Sequence, residues 1–299
     1  MQDNVVKPDN NVINRKDTAL EHQGTKCKFW IDKKLFKVGK VHGENWAEIL
    51  SYKLSKLLDI PAAEYEPVTF FLSDKLTRGT LSPNFVGDGE RLINANELLS
   101  GWLGTEYDQT KRYKHKAYTF SRSLALFKVL KEQIQPKHSL QPVQQMIGYL
   151  IFDVFIGNQD RHHENWGFIS SLEGSLYLAP SYDHGASLAC RLLEKERKNR
   201  LVSQDKGYQI KHFAQKANSA FYDSERLLKT YKLAELCIQK YPKESFFWIE
   251  KIRNLTQENL LSVVDTLDDS WMNSIEKEFT LKLLQTNQKY LAELQNRYV

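Results

Sequence analysis

The sequence contains few cysteines and only a small excess of charge. Its 299 residues include three cysteines, Cys27, Cys190 and Cys237, whose odd number and spacing fit neither a metal site nor a disulfide framework. The formal net charge is +5, and acidic residues are interleaved with basic ones. A dedicated nucleic-acid-binding protein has a clustered basic surface instead. We therefore expect reduced thiols, no structural disulfide or metal, and no direct binding of nucleic acid.

Long apolar runs are also missing. The longest one, residues 149–157, is interrupted by Asp153 and is much shorter than the roughly 20 residues that a membrane-spanning helix needs. The N-terminus has acidic and amide residues where a secretory signal has a basic start and an apolar core. These features predict a cytoplasmic protein that does not bind membranes.

The N-terminal third has the pattern of a small sheet with one helix. Residues 1–22 are polar and predict a mobile arm. The runs KCKFWID and KKLFKVG then predict a β-hairpin. Apolar residues at three- and four-residue steps predict a helix over residues 45–60 that Pro61 ends, and two further strand-like runs flank a turn at residues 73–75. We predict an N-terminal lobe over residues 23–91.

Residues 92–299 are mainly helical in their periodicity. The exception is the stretch 157–188, where the apolar pieces WGFIS and SLYLAP predict a hairpin between two loops. The predicted fold class is therefore α+β, with a small β-rich N-terminal lobe and a larger, mostly helical C-terminal lobe.

The polar residues around this central hairpin suggest phosphoryl transfer. IGNQDRHHENWGFI presents Asp160 and Asn165 on one loop, and the hairpin leads to Asp183. Transfer of a phosphoryl group from a nucleotide needs a carboxylate to orient or deprotonate the acceptor hydroxyl, and oxygen ligands to hold Mg²⁺ against the phosphates. Asp160 suits the role of base, and Asn165 and Asp183 suit the roles of metal ligands.

The N-terminal lobe contains matching candidates for the phosphates. Lys37, in the strand LFKVG, could neutralise the α- and β-phosphates, and Glu48 on the following helix could hold that lysine in place. Upstream, Gly24 and Thr25 begin a turn whose backbone amides, together with Lys28, could cover the phosphates.

Each of these residues also has a plainer interpretation. Asp160, Asn165 and Asp183 could cap turns, and Lys37 could be an exposed strand lysine. His162, His163 and His184 could bind zinc, although adjacent histidines usually point apart and the helical H-E-x-x-H spacing is missing. The charged run at residues 191–200 could be a solvated helix face, a surface for nucleic acid or an acidic partner, or part of an acceptor site.

The segments DRHHEN and YDHG, with the run LFKVGKVHGENWAEILSYKLSKLLDIPAAEYE, resemble the HipA-type serine/threonine kinases over roughly residues 24 to 290. DRHHEN and YDHG are also similar to the phosphatidylinositol 3- and 4-kinases. The resemblance implies a bilobal kinase fold that uses ATP and Mg²⁺. It further implies Asp160 as catalytic base, Asn165 and Asp183 as Mg²⁺ ligands, and Lys37 with Glu48 at the phosphates. By the same resemblance, His162 and Tyr182 lie close to the nucleotide, and the adenine lies against the backbone near residues 81–85.

Two departures from the HipA pattern are visible. Longer HipA toxins have an N-terminal subdomain ahead of the phosphate loop, whereas only about 23 residues precede Gly24 here, so we expect a short-form member. HipA proteins carry an autophosphorylated serine three residues before the loop glycine, and Glu21 occupies that position. Whether Thr25, or a glutamate that mimics the phosphate, takes the place of that serine is left open by the sequence.

The resemblance implies a toxin of a toxin-antitoxin pair that phosphorylates a Ser or Thr hydroxyl of a protein. Its substrate by analogy is a translation component such as an aminoacyl-tRNA synthetase, and its partner is a cognate antitoxin. Two alternatives stay open: a phosphoinositide or small-molecule kinase, and a kinase-shaped binding module without activity.

Overall fold

The structure is a computed structural model that describes residues 27–72, 75–137 and 139–298. It has the predicted α+β class, with a four-stranded antiparallel sheet and one long helix in its N-terminal part and mostly helices beyond. Gly24, Thr25 and the predicted arm at residues 1–22 lie outside the described residues.

The N-terminal sheet has the strand order β1-β2-β4-β3. Its strands are β1 (Cys27–Ile31), β2 (Lys34–Val38), β3 (Glu66–Leu72) and β4 (Lys75–Pro83), and all neighbours pair antiparallel. Asp32 and Lys33, both at positive φ, form the turn between β1 and β2. Two such residues give a tight turn whose twist matches that of the strands. Both predicted strand pairs are confirmed.

Strand alternation gives this sheet two different faces. Phe29, Phe36, Val68 and Phe70 form an apolar cluster, with the Phe29 and Phe36 rings stacked 5.1 Å apart. Successive side chains of a strand point to opposite faces, so Lys37 lies on the face away from Phe36. Lys37 is therefore directed to the side of the sheet where a polar site can form.

Helix α1 (His42–Leu57) joins the sheet to the rest of the protein. Its apolar stripe, including Trp46, Ile49, Leu50 and Leu54, is completely buried in the same core as the C-terminal helices. The predicted periodicity is confirmed. Because α1 packs into the larger core, the position of its polar side is fixed by both parts of the fold.

The C-terminal part is built around one buried helix. Its helices are α2 (Ala95–Leu103), α3 (Phe120–Val129), α4 (Pro142–Ile156), α5 (Glu194–Val202), α6 (Ile210–Lys216), α7 (Thr230–Lys240), α8 (Pro242–Arg253), α9 (Gln257–Val264) and α10 (Ser274–Asn296). Every residue of α4 from Gln145 to Ile156 is buried. Within the ranges given above, no helix is both long and apolar enough to cross a membrane.

Two small sheets interrupt the helices. β5 (Arg91–Asn94), β6 (Gly167–Ser170) and β7 (Leu176–Leu178) form an antiparallel sheet in that order. The β6–β7 hairpin was predicted, but the addition of β5 was not. A second hairpin, β8 (Asn218–Asp223) and β9 (Arg226–Lys229), lies in a stretch predicted to be helical. That prediction was wrong because the hairpin depends on tertiary contacts, such as the bond from the Tyr222 amide to the Tyr118 carbonyl, 2.9 Å.

Candidate active site

The loop that carries Asp160 starts where α4 ends. Gly157 ends the helix in the left-handed conformation, at φ 66°, which glycine adopts without strain. Asn158 then uses its side chain twice. Its Nδ2 donates to Asp153 Oδ1 at 2.8 Å, and its Oδ1 accepts from the Asp160 amide at 3.1 Å. The buried helix therefore fixes the backbone from which Asp160 projects.

Asp160 and Asn165 are held together by the loop itself. Asn165 Nδ2 donates to the Asp160 carbonyl oxygen at 2.8 Å, which places both predicted functional side chains on one closed loop. Asp160 is partly accessible, with 21% of its side chain exposed, whereas Asn165 is buried. The structure thus brings together the pair that the five-residue spacing predicted.

Lys37 lies between two carboxylates from different parts of the chain. Its ammonium group donates to Glu48 on α1, and to Asp183 Oδ1 at 2.5 Å. Burial by itself would lower the pKa of Lys37, but the charges of Asp183 and Glu48 outweigh it and raise the pKa well above the usual value. Lys37 is therefore a permanent buried cation.

A hydrogen bond connects Glu48 to the segment after β7. Glu48 Oε2 accepts the backbone amide of His184 at 2.8 Å, so the helix that positions Glu48 is bonded to the residue after Asp183. Asp183 has a left-handed backbone, at φ 58°, an uncommon conformation for a residue other than glycine. Strained backbones of this kind occur preferentially at functional sites.

Arg161 connects the buried helix α4, the Asn165 loop and the residue before Asp183, although sequence reasoning did not single it out. Its Nη1 donates to the Asn165 carbonyl at 2.9 Å and to the Tyr182 carbonyl at 3.3 Å. Its other nitrogens bond the Asp153 carboxylate, each at 2.8 Å. One guanidinium thus ties the loop of Asn165 to the residue before Asp183. In the sequence, only its position directly after Asp160 in DRHHEN points to this role.

His162 and His163 are buried and uncharged. Burial, followed by the charge of Arg112, lowers the pKa of His162 to about 3. Burial and the neighbouring His115 lower the pKa of His163 to about 4. His162 Nε2 lies 3.8 Å from Asp160 Oδ1, so this contact is not an ion pair at neutral pH. His162 is thus next to Asp160, and His163 points away to the hydroxyl of Tyr107, 2.5 Å from its Nδ1.

The other predicted nucleotide residues lie around this site. Lys28 is directly opposite Lys37 across the β1–β2 ladder, on the same face of the sheet. Tyr182 donates its hydroxyl to Asn94 Oδ1 at 2.8 Å, and its ring stacks on Phe85 at 5.5 Å. The predicted adenine segment 81–85 therefore touches Tyr182 at its end. Their roles toward a nucleotide stay predictions.

The oxygen ligands predicted for Mg²⁺ fit that ion chemically. Asn165 uses its amide nitrogen on the Asp160 carbonyl, which leaves its amide oxygen to bind a cation. Asp183 contributes a carboxylate, and amide and carboxylate oxygens are the hard donors that Mg²⁺ prefers. In the described part of the chain, no group of three or more His, Cys, Asp or Glu side chains could hold a metal.

These residues are the elements of a kinase-like site. They are the buried Lys37 paired with Glu48 on a helix, the loop with Asp160 and Asn165, and the carboxylate of Asp183 after a short hairpin. A family model described as the HipA-like C-terminal domain matches residues 12–241. This chain belongs to that family, whose members have a kinase-like fold. No curated protein sequence is significantly similar to it.

Two solved structures show the same fold. The proinflammatory kinase CtkA of Helicobacter pylori matches with a TM-score of 0.71 and 17% identity, over 92% of this chain and 91% of its own. HipA of Shewanella oneidensis MR-1, solved in complex with HipB and its operator DNA, matches with a TM-score of 0.58 and 14% identity. That match covers 91% of this chain and 66% of HipA. The predicted HipA-like fold is confirmed.

Proposed function

We propose that this protein is an ATP-dependent protein serine/threonine kinase that works with Mg²⁺. The observation that supports the proposal best is the buried ammonium of Lys37, which is held by Glu48 and Asp183. Arg161 in turn bonds the Asn165 carbonyl and the carbonyl of the residue before Asp183. A buried lysine whose pKa is held well above its usual value by specific carboxylates is a candidate functional group. In protein kinases, a strand lysine paired with a helix glutamate is part of the site that binds the nucleotide phosphates.

The chain's own residues would carry the reaction as follows. Lys37 neutralises the phosphates, and Glu48 keeps its ammonium group in place. Asp160 accepts the proton of the acceptor hydroxyl as that oxygen attacks the γ-phosphorus. The bond between the γ-phosphorus and the β–γ bridging oxygen breaks, and ADP leaves. Asn165 and Asp183 would hold Mg²⁺, which neutralises charge on the β- and γ-phosphates when bound.

The acceptor class and the biological role rest on family membership. One structural neighbour is named a kinase, and the other is a HipA bound to its antitoxin HipB. We extend this to a toxin that acts in the cytoplasm on a protein hydroxyl and is controlled by an antitoxin partner. A translation component such as an aminoacyl-tRNA synthetase is the substrate that the HipA resemblance suggests.

The decisive experiment compares the wild type with Asp160→Asn, a substitution that keeps the shape of the side chain. Each purified protein is incubated with Mg²⁺-ATP and a bacterial lysate, and phosphopeptides are identified by mass spectrometry. Nucleotide affinity is measured by calorimetry with and without Mg²⁺. We expect Ser and Thr phosphopeptides with the wild type only, and similar nucleotide affinity for both proteins.

Other outcomes would contradict the proposal in distinct ways. Identical phosphopeptides from both proteins, without ATP binding by either, would refute a kinase. Labelling of extracted lipid but not of protein would favour the phosphoinositide alternative. ATP binding without transfer to any acceptor would favour the silent binding module.

A further inference from the structure

A cavity of about 260 Å³ lies against Asp160. Its walls come from the Asp160 loop, from the segment 112–118 ahead of α3, and from the β8–β9 hairpin. All wall residues lie between Arg112 and Leu227, and none belongs to α1 or the N-terminal sheet. The cavity is therefore distinct from the site around Lys37, although Asp160 borders it.

We propose that this cavity binds the acceptor residue, and that Lys114 selects acceptors with an acidic neighbour. The inference rests on the proposed kinase function and adds the location and chemistry of its second substrate. In-line transfer places the acceptor oxygen opposite the departing ADP. Asp160 lines this cavity and no residue of the N-terminal sheet does, so an acceptor bound there would contact the base without occupying the site around Lys37.

The size of the cavity favours a protein side chain. Pockets for drug-sized ligands measure roughly 300–1,000 Å³. A cavity of about 260 Å³ is slightly smaller, which suits one side chain with its adjoining backbone. Its rim includes exposed apolar groups, with 60% of Tyr113 and 38% of Leu227 accessible. Such groups can pack against the residues that flank the acceptor.

The charges of the cavity wall favour an acceptor residue that has an acidic residue next to it in its own sequence. Of its two cationic side chains, Arg112 is already bonded to Glu164, with Nε 2.5 Å from Oε2. Lys114 forms no ion pair with any carboxylate of the described residues, and it has a left-handed backbone at φ 56°. An exposed lysine at the cavity wall that pairs with no carboxylate of the described residues is available to a ligand carboxylate. Asp160, the one acidic wall residue, is reserved for the hydroxyl.

The first test fills the cavity mouth. Leu227→Trp adds bulk on β9, where a large aromatic side chain is compatible with a strand. Leu172→Trp, at a position 79% exposed and outside the cavity, is the matched control. We expect Leu227→Trp to lower the phosphorylation of lysate proteins at least tenfold while its affinity for ATP stays within twofold of the wild type. Unchanged phosphorylation by a folded Leu227→Trp protein would overturn the cavity as the acceptor site.

The second test reverses the wall charge. Lys114→Glu is compared with Lys111→Glu, at an exposed position just before the segment 112–118 that does not line the cavity. Each protein is incubated with a dephosphorylated lysate, and charged residues within three positions of each phosphorylated residue are counted. We expect enrichment of Asp and Glu with the wild type and Lys111→Glu, and its loss with Lys114→Glu. The same flanking preference in all three proteins would refute the role of Lys114.

These outcomes separate the inference from the function on which it rests. A wild type that binds no nucleotide and labels no protein refutes the kinase itself. An active wild type whose Leu227→Trp and Lys114→Glu variants behave normally refutes only the acceptor site.

Discussion

Arg161 and Asp153 form a two-bonded ion pair inside the protein. Arg161 Nε and Nη2 each lie 2.8 Å from an oxygen of the Asp153 carboxylate, and the two side chains are 2% and 3% exposed. Asp153 belongs to the buried helix α4, whereas Arg161 belongs to the loop of Asp160. The same guanidinium binds Ser181 Oγ at 2.7 Å. The pair thus connects the rigid core to both sides of the candidate site.

Asp153→Asn should therefore destabilise the protein strongly. The substitution keeps the shape of the side chain but leaves the buried Arg161 charge without a counterion. Removal of one partner of a buried pair costs about 3–5 kcal/mol. Thermal and urea unfolding measure the change. Glu278→Gln, which breaks an exposed pair with Lys282 on α10, is the control and should cost below about 0.5 kcal/mol. Equal effects would show that Asp153 is not a structural anchor.

Glu48→Gln should lower activity more than it lowers stability. The amide can still accept the His184 amide proton, but Lys37 then has one neighbouring carboxylate instead of two. Loss of a preorganised charge at such a site typically costs on the order of 100-fold in rate. Steady-state kinetics against ATP measure this loss. Glu66→Gln, on the exposed end of β3, should stay within twofold of the wild type, and a wild-type rate for Glu48→Gln would contradict the assignment.

Gly43→Ala should disturb the site from a distance. A Cβ at Gly43, in the first turn of α1, would overlap the carbonyl oxygen of Cys190. Cys190 lies between Asp183 and helix α5 in the chain. The helix must then shift, and Glu48 shifts with it. We expect a clear drop in ATP affinity, measured by calorimetry, together with a lower melting temperature.

Gly101→Ala provides the matched control for that prediction. Gly101 lies within α2, and no heavy atom is within 4 Å of its added Cβ. Alanine in a helix is about 0.5–1 kcal/mol more stable than glycine, so this variant should keep full ATP affinity and gain stability. Equal behaviour of the two alanine variants would disprove the close-approach argument.

Stability should decrease as the pH falls from 7 to 5. The pKa values of His162 and His163 are lowered to about 3 and about 4, whereas an unfolded chain has histidine pKa values near 6.5. The unfolded state therefore takes up protons in this pH range that the folded state does not, which favours unfolding. Each histidine contributes on the order of 1–2 kcal/mol over the interval.

Urea unfolding at pH 7, 6 and 5 measures the slope of the free energy of unfolding against pH. His162→Gln removes one of the titrating groups and should reduce the pH dependence by that histidine's share. A slope that is the same in the wild type and in His162→Gln would contradict the burial of a neutral His162.

The sequence was most informative where local pattern and spacing decide the structure. The runs KCKFWID and KKLFKVG predicted the β1–β2 hairpin because short segments rich in apolar and aromatic residues on either side of a turn are typical of paired strands. The stripe around Trp46 and Leu50 predicted α1 because a helix repeats every 3.6 residues. The five-residue spacing of Asp160 and Asn165 fits a single closed loop, and the hydrogen bond between them closes it.

The sequence was least informative where distant segments meet. The β8–β9 hairpin depends on a backbone bond to Tyr118, and β5 depends on pairing with β6, which lies more than seventy residues away. Neither contact leaves a local pattern. The same is true of the cavity beside Asp160, whose walls come from three separate segments.

By itself, the sequence determined the α+β class, the first hairpin, helix α1 and the identity of the polar residues with kinase-like spacing, because propensity and periodicity act over a few residues. Only the tertiary structure decided that Lys37 lies between Glu48 and Asp183, and that Arg161 ties the Asp160 loop to Asp153. Ion pairs between distant segments form only once the core has been packed, since burial sets which charges share a low-dielectric space.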